Sequence, residues 1–600
     1  MKRCLSLVLF TALPDPVSGK YDSTRRTGGA DPATPMKKYH PLLILAILFL
    51  EVLLPGRWFP ASGLVQAGLL AIAGAILFRD LSGARWSRPA LLALLAGLAA
   101  IAANLALAMQ THQAVLVVCR LFQYTTIFLF AGFSLTGRQS RTVLRGFALL
   151  GCIAAIWGIL QAAGGFREAL ALLEVIDLPS EDLLAARLQS GRVFGPFILP
   201  SLFGSFLILA IPVSASFLFR PIAVPEKVLW SATLGIELWA LYATGSHGAI
   251  LALLAALLVV AFFRLRGRYR WTMVATAVIL MMILAAVVQS RQGVILDPAN
   301  PTGPIGQRLG VWESAVSMIA DRPLFGVGGG CFGIAFPPHR PPGIHDTRYA
   351  HNSYLQVVAE YGIWTVVPLF LFSAGYLRRI RRGFEGNPTD WRRDLLWVGV
   401  TAFLVHNLVD FGMLIAATGI PFLILLGVIY GTPRLEPARK DPRPSAVPAG
   451  VRGMPLMAAL ITMLLAALLM VSDHHLGRGL ELIGKGNRQE AIVRMEKAVA
   501  IYPFRPEPWG ILATVLYRPQ SPSAAELQRA RDLALRAVEL DPHQSFRYEL
   551  LGMIDFALGH DAPAYLEFRR ADRLHPGRER YGQALETVRE RVLNTDETRH

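Results

Sequence analysis

Long apolar runs separated by short basic loops organise the first 472 residues of the chain. Runs long enough to cross roughly 30 Å of hydrocarbon lie near 41–56, 63–79, 89–109, 114–135, 143–163, 194–219, 228–244, 247–263, 272–289, 353–377, 395–411, 412–430 and 454–472, about thirteen in all. The charges between them are distributed unevenly. With Lys37 and Lys38 placed on the cytoplasmic side, strict alternation brings the groups at Arg79–Arg88, Arg138–Arg145, Arg220–Lys227, Arg264–Arg270, Arg378–Arg393 and Arg434–Arg452 to that same side. Short cytoplasmic loops carry the excess of Lys and Arg, and a miscounted span would have scattered these groups over both faces. The outer face then receives the segment 164–193, the turn at 245–247, the long loop 290–352, the turn around 406–412 and everything after about 472.

Composition agrees with this pattern: 53% of the 600 residues are hydrophobic and 17% charged, against roughly 25% charged in soluble domains. A net charge of +17 would point to nucleic acid in a soluble protein. Here the basic residues sit in loops beside apolar spans, so nucleic-acid binding is not expected. Cys4, Cys119, Cys152 and Cys331 show no CxxC spacing and support neither a disulfide framework nor a zinc ribbon. Residues 1–40 read as a disordered or non-native extension, because Met36-Lys37-Lys38 would itself make a good start before the first span. The expected organisation is a membrane domain over 41–430, a cytoplasmic linker with a last span over 431–472, and a soluble tail over 473–600.

The tail has helical periodicity and an internal repeat. Ala498–Pro503, Ala537–Pro542 and Ala571–Pro576 mark equivalent ends, spaced by 39 and then 34 residues. The second spacing is the tetratricopeptide period, and the Pro/Ser-rich 518–523 loop absorbs the excess in the first. Trp509-Gly-Ile-Leu and Tyr548-Glu-Leu-Leu-Gly open the second and third units with the expected large-x-x-Leu pattern. About three tetratricopeptide-like repeats are predicted, serving either as a platform for a protein partner or as a stabilising cap.

Charges and imidazoles near a membrane interface are costly when desolvated and usually face a cavity or a partner. Several collect on the expected outer face. Arg192 sits in Gly-Arg-Val-Phe-Gly-Pro-Phe before a span; Arg308 opens an amphipathic helix whose stripe is Trp312, Ala315, Val316 and Ile319. Either arginine alone reads equally as an interfacial side chain. His247 opens a span after Thr244-Gly-Ser, and His351 follows a Pro-rich loop and immediately precedes another. His406 and Asp410, one helical turn apart, can face one cavity or simply satisfy each other. His339, His345 and Asp346 lie near His351, but their spacing fits no common zinc pattern, and no metal is expected. The GxGxxG in Gly326–Gly333 follows an amphipathic helix rather than a strand, so a dinucleotide site is rejected.

Taken together these fragments resemble the O-antigen ligase and O-antigen polymerase superfamily of bacterial glycan-assembly enzymes. Arg308-x-x-x-Trp312, Asp321-Arg-Pro-Leu-Phe-Gly-Val-Gly and His351-Asn-Ser-Tyr with Gly362 reproduce the outer loop, including its His-x10-Gly spacing; Arg192-Val-Phe-Gly-Pro-Phe and His406-x-x-x-Asp410 resemble two further segments. The resemblance covers roughly 41–430 and implies an all-α, GT-C-like bundle of membrane helices. It also implies an inverting glycosyltransferase that moves a glycan from an undecaprenyl-pyrophosphate carrier to a hydroxyl at the outer face of the bacterial inner membrane. By this resemblance Arg192, Arg308 and His247 would bind the pyrophosphate. His351 would be the general base, Arg308 would also act in catalysis, and Trp312, His406 and Asp410 would support them. No cofactor is implied. The family often has Arg in the Ser-Arg-Gly turn where this chain has Ser246-His247-Gly248, and the last span and tail are additions to the usual core. Lipid A–core, a growing glycan (polymerase) and a protein hydroxyl (protein O-oligosaccharyltransferase) all remain open as acceptors. A polysaccharide or lipid transporter is the competing class. Transporters show inverted repeats and midplane charges, whereas the groups singled out above gather at one interface.

Overall fold

The computed structural model describes residues 38–54, 60–81, 85–86, 103, 106–167, 188–264, 267–291, 303–386, 391–431, 445–446, 454–518, 522–576 and 578–597. Residues 1–37 of the expected extension over 1–40, most of the run 89–109 and most of the linker lie outside them. Within them the protein is helical, apart from one two-residue antiparallel pairing of β1 (Arg85–Trp86) with β2 (Ser445–Ala446).

Helices occupy each of the other twelve apolar runs: α1 (His40–Leu53), α2 (Pro60–Leu81), α3 (Thr111–Phe133), α4 (Gly137–Leu160), α5 (Pro200–Leu218), α6 (Val224–Ala243), α7 (His247–Arg264) and α8 (Arg268–Arg291), then, after the outer-loop helix α9 (Pro304–Asp321), α10 (Ser353–Tyr361), α11 (Val366–Gly386), α12 (Trp391–His406), α13 (Ala416–Gly431) and α14 (Met454–Gly484). Four helical stretches, Thr111–Phe133, Gly137–Gly165, Pro200–Leu218 and His247–Arg264, are long and apolar enough to cross a membrane by length and composition, and four shorter apolar stretches accompany them.

A helix that is hydrophobic all round belongs inside a bundle, and α5 is that helix. Leu202, Phe203, Phe206, Leu207, Ile208, Leu209 and Ala210 are almost wholly buried, against α4, α6, α7, α12 and α13. Glycine on α12 allows close approach: a Cβ at Gly399 would lie 3.3 Å from the Leu209 carbonyl oxygen. Large apolar side chains such as Leu251, Leu254, Leu257, Phe370 and Leu371 stay exposed on the surrounding helices, as a lipid-facing rim requires.

Contacts between distant loops sort by the expected side. Arg145 pairs with Glu226 and Arg264 with Asp394; His40 meets the Ser134 carbonyl; β1 pairs with β2. All of these join loops assigned to one face. Met109 donates to the Val327 carbonyl, Arg192 to that of Gly245, and Ser353 to those of Asn407 and Asp410, all assigned to the other. The Arg264–Asp394 pair is 2.5 Å long with both side chains under 10% exposed. Removing one partner of such a pair strands a buried charge, so Asp394→Ala should destabilise the protein by about 3–5 kcal/mol, seen as a lowered melting temperature in detergent.

Element boundaries depart from expectation in four places. The run 353–377 is not one span: α10 ends at Gly362, whose φ of +95° suits glycine and whose Cβ would lie 2.0 Å from the Leu324 carbonyl oxygen. The run 194–219 becomes helical only at Pro200, and 395–411 stops at His406, a short 3-10 turn preceding α13. The helix begun by the last run does not stop at 472 but continues unbroken to Gly484. It then packs on α15 (Arg488–Ile501), and the pairs α16 (Pro506–Tyr517)–α17 (Ala524–Leu540) and α18 (Ser545–Ala557)–α19 (Asp561–Leu574) follow, with α20 (Glu579–Glu597) last.

Candidate active site

The site is assembled from five chain segments at the end of the bundle where α5, α7 and α12 meet. Arg192 lies in the irregular stretch before α5. Its Nε donates to the Thr244 carbonyl at 2.9 Å and its Nη2 to that of Gly245 at 3.3 Å. Gln161, in a π-helical turn that extends α4, holds this stretch in place. Its side-chain oxygen accepts from the Phe194 and Gly195 amides at 3.1 and 2.9 Å, and its amide donates to the Gly195 carbonyl. One side chain thus satisfies three backbone groups, which irregular backbone inside a bundle needs.

Arg308 occupies the second turn of α9 and lies within electrostatic reach of Arg192, His351 and His406. Burial, and then the like charge of Arg308, press the Arg192 guanidinium below its ordinary pKa. Among the described residues neither arginine forms a salt bridge, so each guanidinium feels the other's charge without a carboxylate paired to it. The buried stripe of α9 is Val311, Ala315 and Met318, whereas Val316 is 57% exposed; the expected stripe was rotated by one position.

His351 has a φ of +50°, unique among non-glycine residues in the described chain. Such backbone costs of order 1–3 kcal/mol and persists only where its surroundings dictate it. They do so here from both sides. The Ala350 carbonyl accepts from Trp312 Nε1 at 3.0 Å, and the Ala350 amide donates to Gln356. Asn352 caps α10 by accepting from the Tyr354 and Leu355 amides. The spacing from His351 to Gly362 therefore has a physical origin: it spans one cap, one nine-residue helix and one left-handed terminator. His351 precedes this short helix rather than a span. Its ring stands edge-on to Phe411, 5.0 Å away, and Phe411 stacks on Tyr349. Burial lowers the His351 pKa below 6.5; the Asp410 carboxylate opposes this and Arg308 adds to it.

His406 and Asp410 remain close although the helix has already ended, Nδ1 to Oδ2 being 3.7 Å. Ser205 of α5 bridges them, 2.9 Å from His406 Nδ1 and donating to Asp410 Oδ2 at 3.3 Å. Asn407 accepts from the Ser353 hydroxyl and the Met413 amide at 2.7 Å each, which fixes α10 to this turn. His247 is placed differently. Its backbone follows the Gly245 turn that Arg192 grips, but its ring is exposed. The structure thus brings His351, His406 and Asp410 together within electrostatic reach of Arg308, and Arg308 within reach of Arg192, uses Trp312 as a brace, and leaves His247 exposed beside them. Gln161, Ser205, Asn407 and Gln356 were not singled out in the sequence; only the pairing of Gln161 with a glycine-rich helix end was a signal.

Among the described residues no group of three or more His, Cys, Asp or Glu side chains is arranged to hold a metal ion. Of the three weighed for one, His339 pairs with Asp321 at 2.8 Å, and Asp346 is engaged by Arg340 and His575. The glycine-rich run is a packing device: a Cβ at Gly326 would lie 2.4 Å from the Glu360 backbone, and the Gly330 amide donates to Glu360.

A helical membrane protein with a cluster of buried and half-buried polar and cationic side chains at one end of its bundle is the class these features define. Residues 232–370 match the family model described as O-antigen ligase, a match that supports the O-antigen ligase and polymerase superfamily and suggests a glycosyltransferase-like enzyme. The matched stretch contains His247, Arg308, Trp312 and His351; Arg192, His406 and Asp410 lie outside it and join it through the fold. Comparison with curated proteins gave no match.

Proposed function

We propose that the protein is an inverting glycosyltransferase that moves a glycan from an undecaprenyl-pyrophosphate carrier to an acceptor hydroxyl at the outer face of the bacterial inner membrane. The observation that carries this reading is that Arg192 and Arg308, neither in a salt bridge among the described residues, lie within electrostatic reach of each other, and Arg308 within reach of His351. Two such guanidiniums repel each other, and a pyrophosphate would remove that repulsion while accepting paired hydrogen bonds. Every energetic requirement arrives with the donor, so the outer face needs no nucleotide site.

In the transfer, the acceptor oxygen attacks the anomeric carbon as His351 takes its proton. The bond from that carbon to the pyrophosphate oxygen breaks with its electron pair, and configuration inverts. Arg308 and Arg192 stabilise the charge that builds on the departing pyrophosphate. His247 at the rim supplies a further contact to it. His406 and Asp410 support His351 from the buried side. Because burial keeps His351 neutral near pH 7, it is in the state a base needs. The acid limb of kcat/KM should therefore have its midpoint below 6.5, activity being lost as pH falls through it; a midpoint above 6.5 would contradict the assignment.

The tail fits three tetratricopeptide-like repeats, since the helix-ending residues Tyr502, Asp541 and His575 share one backbone conformation (φ −139°, −149° and −145°; ψ 83°, 79° and 76°). With the basic loops inside, the N-terminus is cytoplasmic and the tail periplasmic. The decisive test is transfer by the purified full-length protein in proteoliposomes, with a lipid-pyrophosphate-linked glycan and lipid A–core, glycan or peptide acceptors, with and without chelator. Transfer to one acceptor that survives chelation is expected; no transfer to any of them would overturn the reading.

A further inference from the structure

The three equivalent helix ends of the tail do more than repeat. Tyr502 leaves the tail to meet His112 at the start of α3, hydroxyl to Nδ1 3.0 Å, with both side chains buried. His543, two residues after Asp541, lies within electrostatic reach of Arg322 at the end of α9. His575 Nε2 reaches Asp346 Oδ2 at 2.8 Å, and Arg578 Nη2 approaches the same oxygen at 3.9 Å. One face of the tail, at or beside its equivalent helix ends, therefore meets two outer segments, the start of α3 and the long loop 290–352.

Asp346 has a particular place in that contact. Its other oxygen accepts from Arg340, so it joins the tail to the Pro-rich loop. Its neighbour His345 donates its amide to Gln307 Oε1 at 2.9 Å, and Gln307 Nε2 donates to the Gly343 carbonyl at 2.8 Å. Gln307 immediately precedes Arg308. Ile344 is buried against Gly310, where a Cβ would come within 2.4 Å of its side chain. Five residues beyond Asp346 stands His351. The segment 343–351 is thus fastened at one side to the helix bearing Arg308 and at the other to the tail.

We infer that Asp346, His575 and Arg578 are positioning residues for transfer, the tail acting as an intramolecular clamp that holds Arg308 and His351 in register. The inference rests on the transfer reading above. His351 must meet the attacking acceptor hydroxyl on one side of the anomeric carbon while Arg308 meets the departing pyrophosphate on the other, and a displacement of about 1 Å at such a site costs up to 10²-fold. Asp346→Ala and the double variant His575→Ala/Arg578→Ala should each lower kcat about tenfold with donor KM nearly unchanged. Combining all three should lower it no further, since one contact is lost either way. Asp346→Glu should restore most of the rate, which a general loss of stability would not explain.

The measurement is steady-state transfer by full-length protein in proteoliposomes, with Arg308→Ala as the inactive reference. Wild-type rates in both clamp variants, beside an inactive Arg308→Ala, would overturn the clamp and leave the transfer reading standing. Additive losses, or losses expressed in KM alone, would overturn it too. A wild-type protein no more active than Arg308→Ala would overturn both.

Discussion

Arg308→Ala is expected to lower kcat for glycan transfer by about 10²–10³-fold, the effect of removing one preorganised donor to a developing anion, while the protein still inserts and folds. Folding should survive because the packing of α9 comes from Val311, Ala315 and Met318 rather than from Arg308 in its second turn, and because Arg308 forms no salt bridge among the described residues. The substitution also removes the like charge that presses on Arg192, so a stability change should be small or favourable. Arg308→Lys separates charge from geometry: an ammonium keeps the charge but not the fork that matches two phosphate oxygens, and should recover only part of the rate. Arg192→Ala is a less clean experiment, since its guanidinium also holds the Thr244 and Gly245 carbonyls and its loss should loosen the turn before α7. Full activity in Arg308→Ala, measured in the proteoliposome assay, would remove the pyrophosphate clamp from the mechanism.

The helical membrane bundle and the gathering of its polar residues were legible for one reason: both are written in local composition. A span must be apolar over its whole length, and basic loops betray their side, so the runs and the sorting of Arg145 and Arg264 could be read without knowing any contact. Boundaries were less legible. Gly362 breaks the run 353–377 because of a carbonyl at Leu324, a contact no window of hydropathy contains. The helix through 472 continues because α15 packs on it, which hides the change from lipid to water. The supporting residues were the least legible. Ser205 matters through His406 and Asp410, some 201 and 205 residues away, and Gln161 through amides 33 and 34 residues away. Nothing in a serine inside an apolar helix announces such a partner, and for Gln161 the glycine-rich helix end was the one local sign. His247 shows the converse: a residue marked by a motif position whose ring the fold leaves at the rim.

His351→Ala should slow transfer by about 10²–10⁴-fold, the usual contribution of a general base, but alanine alone would not prove the point. The backbone there has a φ of +50°, and alanine tolerates it no better than histidine, so a relaxed loop would also account for a rate loss. Glycine resolves the ambiguity. It adopts positive φ without steric cost, so His351→Gly should hold the segment between Trp312 and Asn352 at least as well as the native residue and melt no earlier. It should nevertheless transfer as slowly as the alanine variant, because the proton acceptor is gone. The space it opens beside Phe411 is the size of the missing ring, so added imidazole should restore part of the rate. That rescue should grow with pH as the free base replaces imidazolium, and the acid limb assigned to His351 should disappear from the unrescued variant. A His351→Gly protein that transfers at the native rate would show that this residue shapes the loop and takes no proton.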